Sequence, residues 1–478
     1  MDRHITFTSA TASIVIACSC TVWWWIREKK QALTKTKSIP PVTGIPLVPD
    51  PHWLLGHLPE LRGHGLVAGY SRTFAEFADP TGLSSSFLLY KPIVSVLLAK
   101  DVKAVLFASC FRKETALITR HNVQFLGPKR LTSMMGKEWK LYRTAVHKSF
   151  TPSVLQQSQK SIRLVGETLA NSLVAGIQAS DEGAMHHPSV VRLLKMATID
   201  VFGRAVLGVD FGCCSTLKTS KVGEAFGFLT QEYTRRLQNP LNPFNFLYWL
   251  PSPTNRRFAS KRKVIRTFIS DLIRNAKESK EDSDQKSDVL ATLLRVNADQ
   301  GEEIADDATV ADIMVTLLFG GYDTTSIALS CALYLLATHP EVERECLGEI
   351  MSVMGTTKAS DDSISGPDAL PYTRAVICEA LRMYPPAPLT ARHLEKPMEI
   401  RPGVVLPEGA SIFVPIWSIQ RCARNFPDPE SMRPDRWVRQ RGDGKWEDRP
   451  QEDTESSDVP PANRDAFCVF SALSLIHI

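Results

Sequence analysis

One 32-residue segment, 307–338, constrains the fold more than any other part of the chain. Its apolar residues recur at three- and four-residue spacing, which is typical of an α-helix, and they cover nearly every face. A helix this long and this apolar is expected in the middle of a large protein rather than on its surface. Its centre nevertheless carries a polar run, Gly320-Gly321-Tyr322-Asp323-Thr324-Thr325.

The polar run is unfavourable for a purely structural helix. A helical glycine costs about 1 kcal/mol relative to alanine, and a carboxylate in a core costs free energy unless it is paired. Gly320, Asp323 and Thr324 have i, i+3, i+4 spacing and are expected to share one face. The glycine would admit a flat ligand or a diatomic molecule, and an acid beside an alcohol could relay protons. A packed helix with one satisfied polar patch explains the same residues equally well.

The N-terminus predicts a membrane anchor. Residues 5–26 contain no charge, end in Trp23, Trp24 and Trp25, and are followed by a basic stretch. That length spans about 30 Å of hydrocarbon, and the positive flank keeps the rest of the chain cytosolic. We expect a tip at 1–4, a transmembrane signal anchor at 5–26 and a basic, proline-rich linker at 27–52. A cleaved signal peptide is the alternative, although no small-residue cleavage site follows.

The remainder, 53–472, is predicted to be a single domain, mainly α with a minor β-sheet. Composition gives no support for nucleic-acid binding, since basic and acidic residues nearly balance at 56 and 51. The ten cysteines show no zinc spacing. The charged run at 442–465 is predicted to be a solvated loop. Helices are expected at 138–150, 156–179, 190–207, 256–276 and 307–338, and short strands at 85–90, 94–98, 403–406 and 411–414.

Glu379 and Arg382 form an E-x-x-R pattern that occurs three more times, starting at Glu232, Glu341 and Glu430. The copy at Glu379 differs because it lies in an apolar helix, where charges must be paired to be tolerated. We expect Arg436 to be a third member of a buried cluster. A surface ion pair is the alternative for this copy and our interpretation of the other three.

Trp139 and Arg143 lie one helical turn apart and could donate hydrogen bonds to one buried anion. A tryptophan packed under an arginine is the alternative. Together with the polar run at 320–325, the Glu379/Arg382 pattern and Pro434-Asp435-Arg436-Trp437, this pair resembles the cytochrome P450 family over residues 40–472.

The resemblance implies a P450-like fold that binds haem b (iron protoporphyrin IX). Trp139 and Arg143 would bind one haem propionate and Arg392 the other. Asp323 and Thr324 would deliver protons for O–O cleavage beside Gly320 and Gly321. The cluster of Glu379, Arg382 and Arg436 would hold the segment that carries the cysteine loop.

The resemblance also implies the biological setting. Electrons would come from NADPH through NADPH–cytochrome P450 reductase, with cytochrome b5 as a second partner. The anchor would place the protein in membrane lipid of the endoplasmic reticulum. The substrate would be an apolar small molecule such as a fatty acid, sterol, terpenoid or xenobiotic, contacted by the variable segments 107–126 and 221–250.

The cysteine that binds the haem iron in this family is not found in the sequence. The residues Phe467-Cys468-Val469-Phe470 resemble the approach to the cysteine loop, but Leu473, Leu475 and His477 stand where its glycine, arginine and cysteine are expected. We expect 473–478 to be a non-native tail and the intact gene product to supply the cysteine. Two hypotheses follow: an intact haem-thiolate monooxygenase, or a catalytically dead, truncated membrane-anchored protein without the haem ligand.

Overall fold

The computed structural model describes fifteen stretches of the chain. The predicted anchor at 5–26, most of the linker and the tail at 473–478 lie outside them. The described residues are 45–46, 48, 81–88, 91–108, 111–112, 122–148, 152–180, 189–237, 248, 250–278, 289–291, 293–294, 307–356, 367–453 and 460–469.

The chain divides into two compact units, each described separately. The sheet unit comprises residues 1–112, 388–426 and 464–478, and the helical unit comprises 113–387 and 427–463. The described residues form a mainly α-helical fold with small sheets, which confirms the predicted fold class.

The sheet unit contains a mixed five-stranded sheet of order β1-β2-β7-β4-β3 and a separate β5–β6 hairpin. In the main sheet, β2 pairs with β7 in parallel and the other neighbours are antiparallel. Ile93, Val94, Ile412 and Val414 are buried, as expected for central strands. The elements are β1 (Leu83–Leu88), β2 (Lys91–Val96), α1 (Ala99–Phe107), β3 (Phe111–Arg112), β4 (Thr390–Leu394), β5 (Met398–Arg401), β6 (Val404–Leu406), β7 (Ser411–Val414) and the short α11 (Ile416–Ile419).

The helical unit is built around the long helix α8. Helices α4, α7 and α10 pack directly on it, and a small β8–β9 hairpin packs on α10. Its elements are α2 (Gly136–Lys148), α3 (Pro152–Gln178), α4 (Val190–Phe202), α5 (Cys213–Thr216), α6 (Lys221–Leu237), α7 (Pro253–Glu278), α8 (Asp307–Thr338), α9 (Pro340–Thr356), α10 (Pro371–Met383), β8 (Val438–Gln440) and β9 (Trp446–Asp448).

The first half of α8 is buried in the core of the helical unit. Every residue from 309 to 316 is buried, and several pack in one cluster with residues of α4 and α7. Within the described part of the chain, α8 is the one helix with the length and apolar composition to cross a membrane. Its burial against neighbouring helices is what the sequence predicted for a central core helix.

Asp312 ties α8 to the segment that leads into α2. Its buried carboxylate accepts the Lys129 backbone N–H at 2.8 Å and forms an ion pair with Arg266 of α7. Arg266 also donates to the Leu126 carbonyl at 2.9 Å. Gly127 adopts φ +103°, and any Cβ there would overlap the Asp312 carboxylate. The approach to α2 is therefore fixed against α8 by a buried charge.

The helices predicted from periodicity are present, with boundaries shifted by up to four residues and one larger change. The segment predicted as one helix at 190–207 is α-helical only to Phe202 and continues as a π-helical turn from Gly203 to Leu207. Close packing accompanies the change, since a Cβ on Gly203 would lie 2.5 Å from the Val209 carbonyl oxygen. Sequence periodicity does not distinguish the two helix types here, because the π-helical stretch is only one turn long.

The prediction of a solvated loop at 442–465 is wrong in part. Strand β9 lies within it and pairs with β8. Arg449 is also buried, and its guanidinium donates to the carbonyls of Asp435 at 2.8 Å and Asp453 at 3.0 Å. Backbone carbonyls accept these hydrogen bonds from the buried guanidinium, and the composition of the segment alone could not reveal them.

Candidate active site

Helix α8 is continuous through the polar run, and one face of it is open at Gly320. Gly320 is exposed, and a Cβ built on it would meet nothing within 4 Å. The Thr324 hydroxyl donates to the Gly320 carbonyl at 2.5 Å. A hydroxyl that bonds back to the i−4 carbonyl competes with the helical hydrogen bond and favours local bending. Gly320 and Thr324 therefore form an open, polar spot on an otherwise apolar helix.

Asp323 does not join that spot. Its carboxylate pairs with Lys195 of α4, with 2.6 Å between Nζ and Oδ1, and lines a cleft of ≈ 690 Å³ with residues of α6. The expectation of one shared face for residues 320, 323 and 324 therefore holds for Gly320 and Thr324 but not for the Asp323 side chain. Sequence reasoning missed Lys195. The available signal was a lysine within the mostly apolar segment 190–202.

The adjacent residues pack α8 closely on its neighbours. A Cβ on Gly321 would lie 2.9 Å from the Phe202 ring, so this glycine allows α4 to approach. Tyr322 is buried and packs edge-on against Phe226 of α6, with ring centroids 5.5 Å apart. Burial raises the pKa of Tyr322, and the neighbouring Asp323 charge adds to the shift. Tyr322 is therefore a neutral packing residue near neutral pH.

Glu379 lies at the centre of a buried hydrogen-bond network. Its carboxylate accepts from Arg382 Nε at 2.9 Å and Nη2 at 2.8 Å, and from Arg436 Nε at 3.2 Å. The Trp437 indole N–H donates at 2.9 Å and the Arg433 backbone N–H at 3.2 Å. Glu379 and Arg382 are both 0% exposed. The structure thus brings together Glu379, Arg382 and Arg436, and it adds two donors that the sequence did not suggest.

The two arginines of this network also hold the segment 427–431. Arg382 donates to the carbonyls of Pro429 at 2.7 Å and Ser431 at 3.2 Å. Arg436 donates to those of Pro427 and Asp428, each at 2.7 Å. Burial lowers the pKa of Arg436, an effect that the nearby Glu379 carboxylate opposes. Backbone carbonyls therefore satisfy the guanidinium donors that Glu379 leaves over.

One other E-x-x-R copy is also buried. Glu232 is 5% exposed and pairs with Arg235 at 2.6 Å and Arg236 at 2.8 Å. The interpretation of this copy as a surface ion pair is wrong. The carboxylate is buried because Arg236 accompanies it into the core and packs over the Phe258 ring, with 4.0 Å between the guanidinium carbon and the ring centroid.

Trp139 and Arg143 lie on α2 as spaced in the sequence. Both are half-buried, and Trp139 packs against the main core of the helical unit. Among the residues that the structure describes, Arg143 forms no ion pair or hydrogen bond. A half-buried guanidinium without a protein partner remains able to bind an anion.

Arg392 belongs to the sheet unit, on β4. Its Nη1 donates to the Ala391 carbonyl at 2.9 Å and to the Thr390 hydroxyl at 3.2 Å. Burial lowers the pKa of Arg392. In the same unit Cys468 is buried, and burial raises the pKa of its thiol to about 12. The uncoordinated thiol is therefore protonated at neutral pH.

The family model for cytochrome P450 matches residues 46–457, which is most of the chain. The chain therefore belongs to the cytochrome P450 family, as the resemblance implied.

Curated relatives are similar over part of their length. Cytochrome P450 97B2, chloroplastic, of Glycine max is 29% identical over 63% of this chain and 54% of the relative. Cyclooctat-9-en-7-ol 5-monooxygenase of Streptomyces melanosporofaciens is 34% identical over 41% of each chain. Cytochrome P450 3A41 of Mus musculus is 26% identical over 73% of this chain and 68% of the relative. The chain thus spans about half the length of the first relatives it matches.

The described residues fit one side of a haem. The open face at Gly320 leaves room for a flat group, and Arg143 is available for a carboxylate. The residues beyond Ala472, where the axial cysteine is expected, lie outside the part of the chain that the structure describes. The donor set therefore fits the distal face and one propionate of the group.

Proposed function

We propose that the intact gene product is a haem-thiolate monooxygenase that inserts one oxygen atom of O2 into an apolar small-molecule substrate. The observation that carries this proposal is the open face of α8 at Gly320, where the Thr324 hydroxyl bonds to the Gly320 carbonyl. Bound haem b would supply the oxygen chemistry. Membership in the cytochrome P450 family supports the same activity.

Each site residue has a separate task in this proposal. Gly320 would let the haem approach α8 closely. Gly321 lets α4 approach α8 closely. The Thr324 hydroxyl holds a proton at the open face and can pass it on, because a hydroxyl both donates and accepts. Asp323 exchanges protons with water in the cleft. Trp139 and Arg143 would hold one haem carboxylate, and Arg392 the other.

The buried network around Glu379 has a positioning task. Arg382 and Arg436 fix five consecutive backbone positions, 427–431, by bonding to four of their carbonyls. We propose that this rigid stretch holds the segment that leads to the cysteine loop. The residues 53–472 would form the catalytic domain, and 473–478 would be foreign to it.

The cellular setting is part of the proposal. An anchor at 5–26 and the linker at 27–52 would hold the domain at the cytosolic face of the endoplasmic reticulum. NADPH–cytochrome P450 reductase would supply electrons, with cytochrome b5 as a second donor. The name of the Glycine max relative includes the word chloroplastic, which favours a plastid as the alternative location.

Reduced-CO difference spectroscopy tests the proposal. The complete open reading frame around this chain should give the Soret band of a thiolate-bound haem, and Arg143→Ala should reduce haem uptake. A complete reading frame without a cysteine soon after Ala472, or a colourless protein with haem supplied, would contradict it. The second candidate, a catalytically dead, truncated, membrane-anchored protein without the haem ligand, predicts no haem uptake.

A further inference from the structure

Arg262 of α7 is half-buried, and its guanidinium has no hydrogen-bond partner. Its Nε is shielded from solvent, and Arg262 forms no ion pair or hydrogen bond among the residues that the structure describes. A buried N–H without an acceptor is rare in folded proteins, because it loses its hydrogen bonds to water and gains none. The orphaned donor is therefore a candidate contact for a ligand.

The acid beside Arg262 is already occupied. Burial lowers the pKa of Arg262, the Arg266 charge lowers it further, and the Asp312 charge opposes both effects. Asp312 therefore lies close to Arg262, but its carboxylate accepts from Arg266 and from the backbone N–H of Lys129. Arg262 is thus a cation to which the described part of the chain offers no counter-ion.

One other arginine is in the same condition. Arg143 of α2 is also half-buried without an ion pair or hydrogen bond, and within the described ranges no third arginine shares this state. Arg143 is the proposed partner of a haem carboxylate. Arg262 lies on a different helix, so the same chemistry there predicts a second anion.

The charges around Arg262 favour a monoanion with an apolar body. One free cation balances one negative charge, whereas Arg266 is neutralised by Asp312, whose own charge would repel a dianion such as phosphate. A guanidinium binds a carboxylate through two parallel N–H donors. The buried residues on the same side of α7 are all apolar, namely Phe258, Ile265, Ile269 and Ile273. An organic acid therefore fits this position better than a small inorganic anion.

Two ion pairs show how α7 runs along α8. Lys277 pairs with Asp307 at 2.5 Å, and Arg266 pairs with Asp312. The two helices therefore run in opposite directions at this contact. Arg262 precedes Arg266 by one turn, so it lies beyond Asp312 in the direction of the C-terminal half of α8.

That direction leads to the open face of α8. Asp312 and Gly320 are eight residues apart, which is about 12 Å along the helix. A ligand whose carboxylate pairs with Arg262 reaches Gly320 if its apolar body has about this length. The cation and the open face are therefore spaced for the two ends of one elongated acid.

We propose that Arg262 binds the carboxylate of the substrate, and that the substrate class is therefore an apolar organic acid. This inference rests on the monooxygenase function proposed above. The guanidinium holds one end of the acid, and the apolar remainder extends to the open face at Gly320. No bond of the carboxyl group changes, so Arg262 determines specificity and is not a catalytic residue.

Isothermal titration calorimetry of the full-length protein, with haem supplied, tests binding apart from turnover. The probes are octanoate, dodecanoate and hexadecanoate, each compared with the primary alcohol of the same length. Arg262→Met should weaken the binding of the acids roughly tenfold to a hundredfold, because a charged hydrogen bond is lost, and should leave the alcohols unchanged. Arg262→Lys should recover part of the affinity, since it restores the charge but not the two parallel donors.

Arg256→Met is the matched control, because Arg256 lies on the same helix but is exposed. It should bind acids and alcohols as the wild-type protein does. An equal loss for acid and alcohol in Arg262→Met would overturn the proposal, since a structural defect weakens both ligands alike. An Arg262→Met protein that binds every acid of the series as the wild type does would overturn it as well.

Urea unfolding gives an independent test. Without a ligand, Arg262→Met should be more stable than the wild type, because it removes an unpaired charge beside Arg266. Dodecanoate should raise the unfolding midpoint of the wild type but not of the variant. A variant that is less stable without a ligand and gains as much from dodecanoate would show a structural role for Arg262 and would overturn the proposal.

Turnover separates this inference from the monooxygenase function. In the wild type, the oxidised position counted from the carboxyl carbon should stay the same as the acid lengthens; Arg262→Met should raise KM for the acids roughly tenfold or more and scatter that position. A protein that binds acids through Arg262 but forms no product contradicts the monooxygenase function and leaves the anion site in place. A protein that oxidises acids and alcohols with the same KM values in wild type and Arg262→Met overturns the inference alone.

Discussion

Replacement of Glu379 by glutamine should open the segment 427–437 selectively. The carboxylate accepts five hydrogen bonds, and its loss leaves the buried Arg382 and Arg436 without a counter-ion. Removal of one partner from a buried charge pair costs about 3–5 kcal/mol. That is a large fraction of a total folding stability of about 5–15 kcal/mol.

Hydrogen exchange by mass spectrometry measures this effect locally. A cost of about 3–5 kcal/mol corresponds to a loss of protection of roughly two to three and a half powers of ten. It should appear in peptides from α10 and from 427–437, because Glu379 bonds to both. Peptides from α3, which lies outside the network, should change much less unless the whole unit unfolds.

Glu447→Gln is the matched control. Glu447 pairs with Arg439 at 2.8 Å, but both side chains are more than one-third exposed, so its loss should cost at most about 1 kcal/mol. Equal protection in the Glu379→Gln and Glu447→Gln proteins would refute the reasoning. The double variant Glu379→Gln/Arg436→Met should cost less than the sum of its single changes, since it also removes an unpaired charge.

Three further predictions concern single residues. Gly320→Ala should raise the free energy of unfolding by up to about 1 kcal/mol, whereas Gly321→Ala should lower it because the new Cβ would lie 2.9 Å from the Phe202 ring. Urea unfolding measures both changes, and equal effects of the two substitutions would contradict the geometry. Arg143→Ala should leave the midpoint of thermal unfolding within a few degrees but weaken haem uptake, measured by titration, since Arg143 has no partner among the described residues. Cys468 should resist alkylation in the folded protein at pH 8 and should react after unfolding. The pKa of its thiol is about 12 in the folded protein, above the ordinary 9.0. Burial of the neutral thiol therefore stabilises the fold below pH 9, and this stabilisation is lost as the pH rises towards 12.

Local patterns predicted the parts of the site whose partners are close in sequence. The apolar run at 307–338 predicted a central helix, because burial on all sides leaves an apolar sequence. Glu379 and Arg382 were recognisable as a buried pair, because they lie in an apolar helix that ends at a proline-rich turn. Arg436 was identified from the resemblance of its segment to the family motif rather than from helical spacing.

Tertiary contacts explain the features of the structure that the sequence did not predict. Residue spacing placed Asp323 on the face of Gly320 and Thr324, but an opposite charge on α4 turns its carboxylate to Lys195. Glu232 was interpreted as exposed, because the cation that buries it, Arg236, lies one residue beyond the E-x-x-R pattern. Arg449 gave no signal, since its partners are backbone carbonyls.

The structure explains only one of the two adjacent glycines of α8 by packing. Gly321 is needed for packing, because the Phe202 ring occupies the space that a side chain would take. Gly320 has no such neighbour among the described residues, so packing does not explain the absence of a side chain there. Burial and the Asp312 ion pair fix the first half of α8. Close packing at Gly321 fixes the next part of the helix against α4. A helix fixed on its other faces keeps the open face at Gly320 in place, which is what a site for a flat cofactor requires.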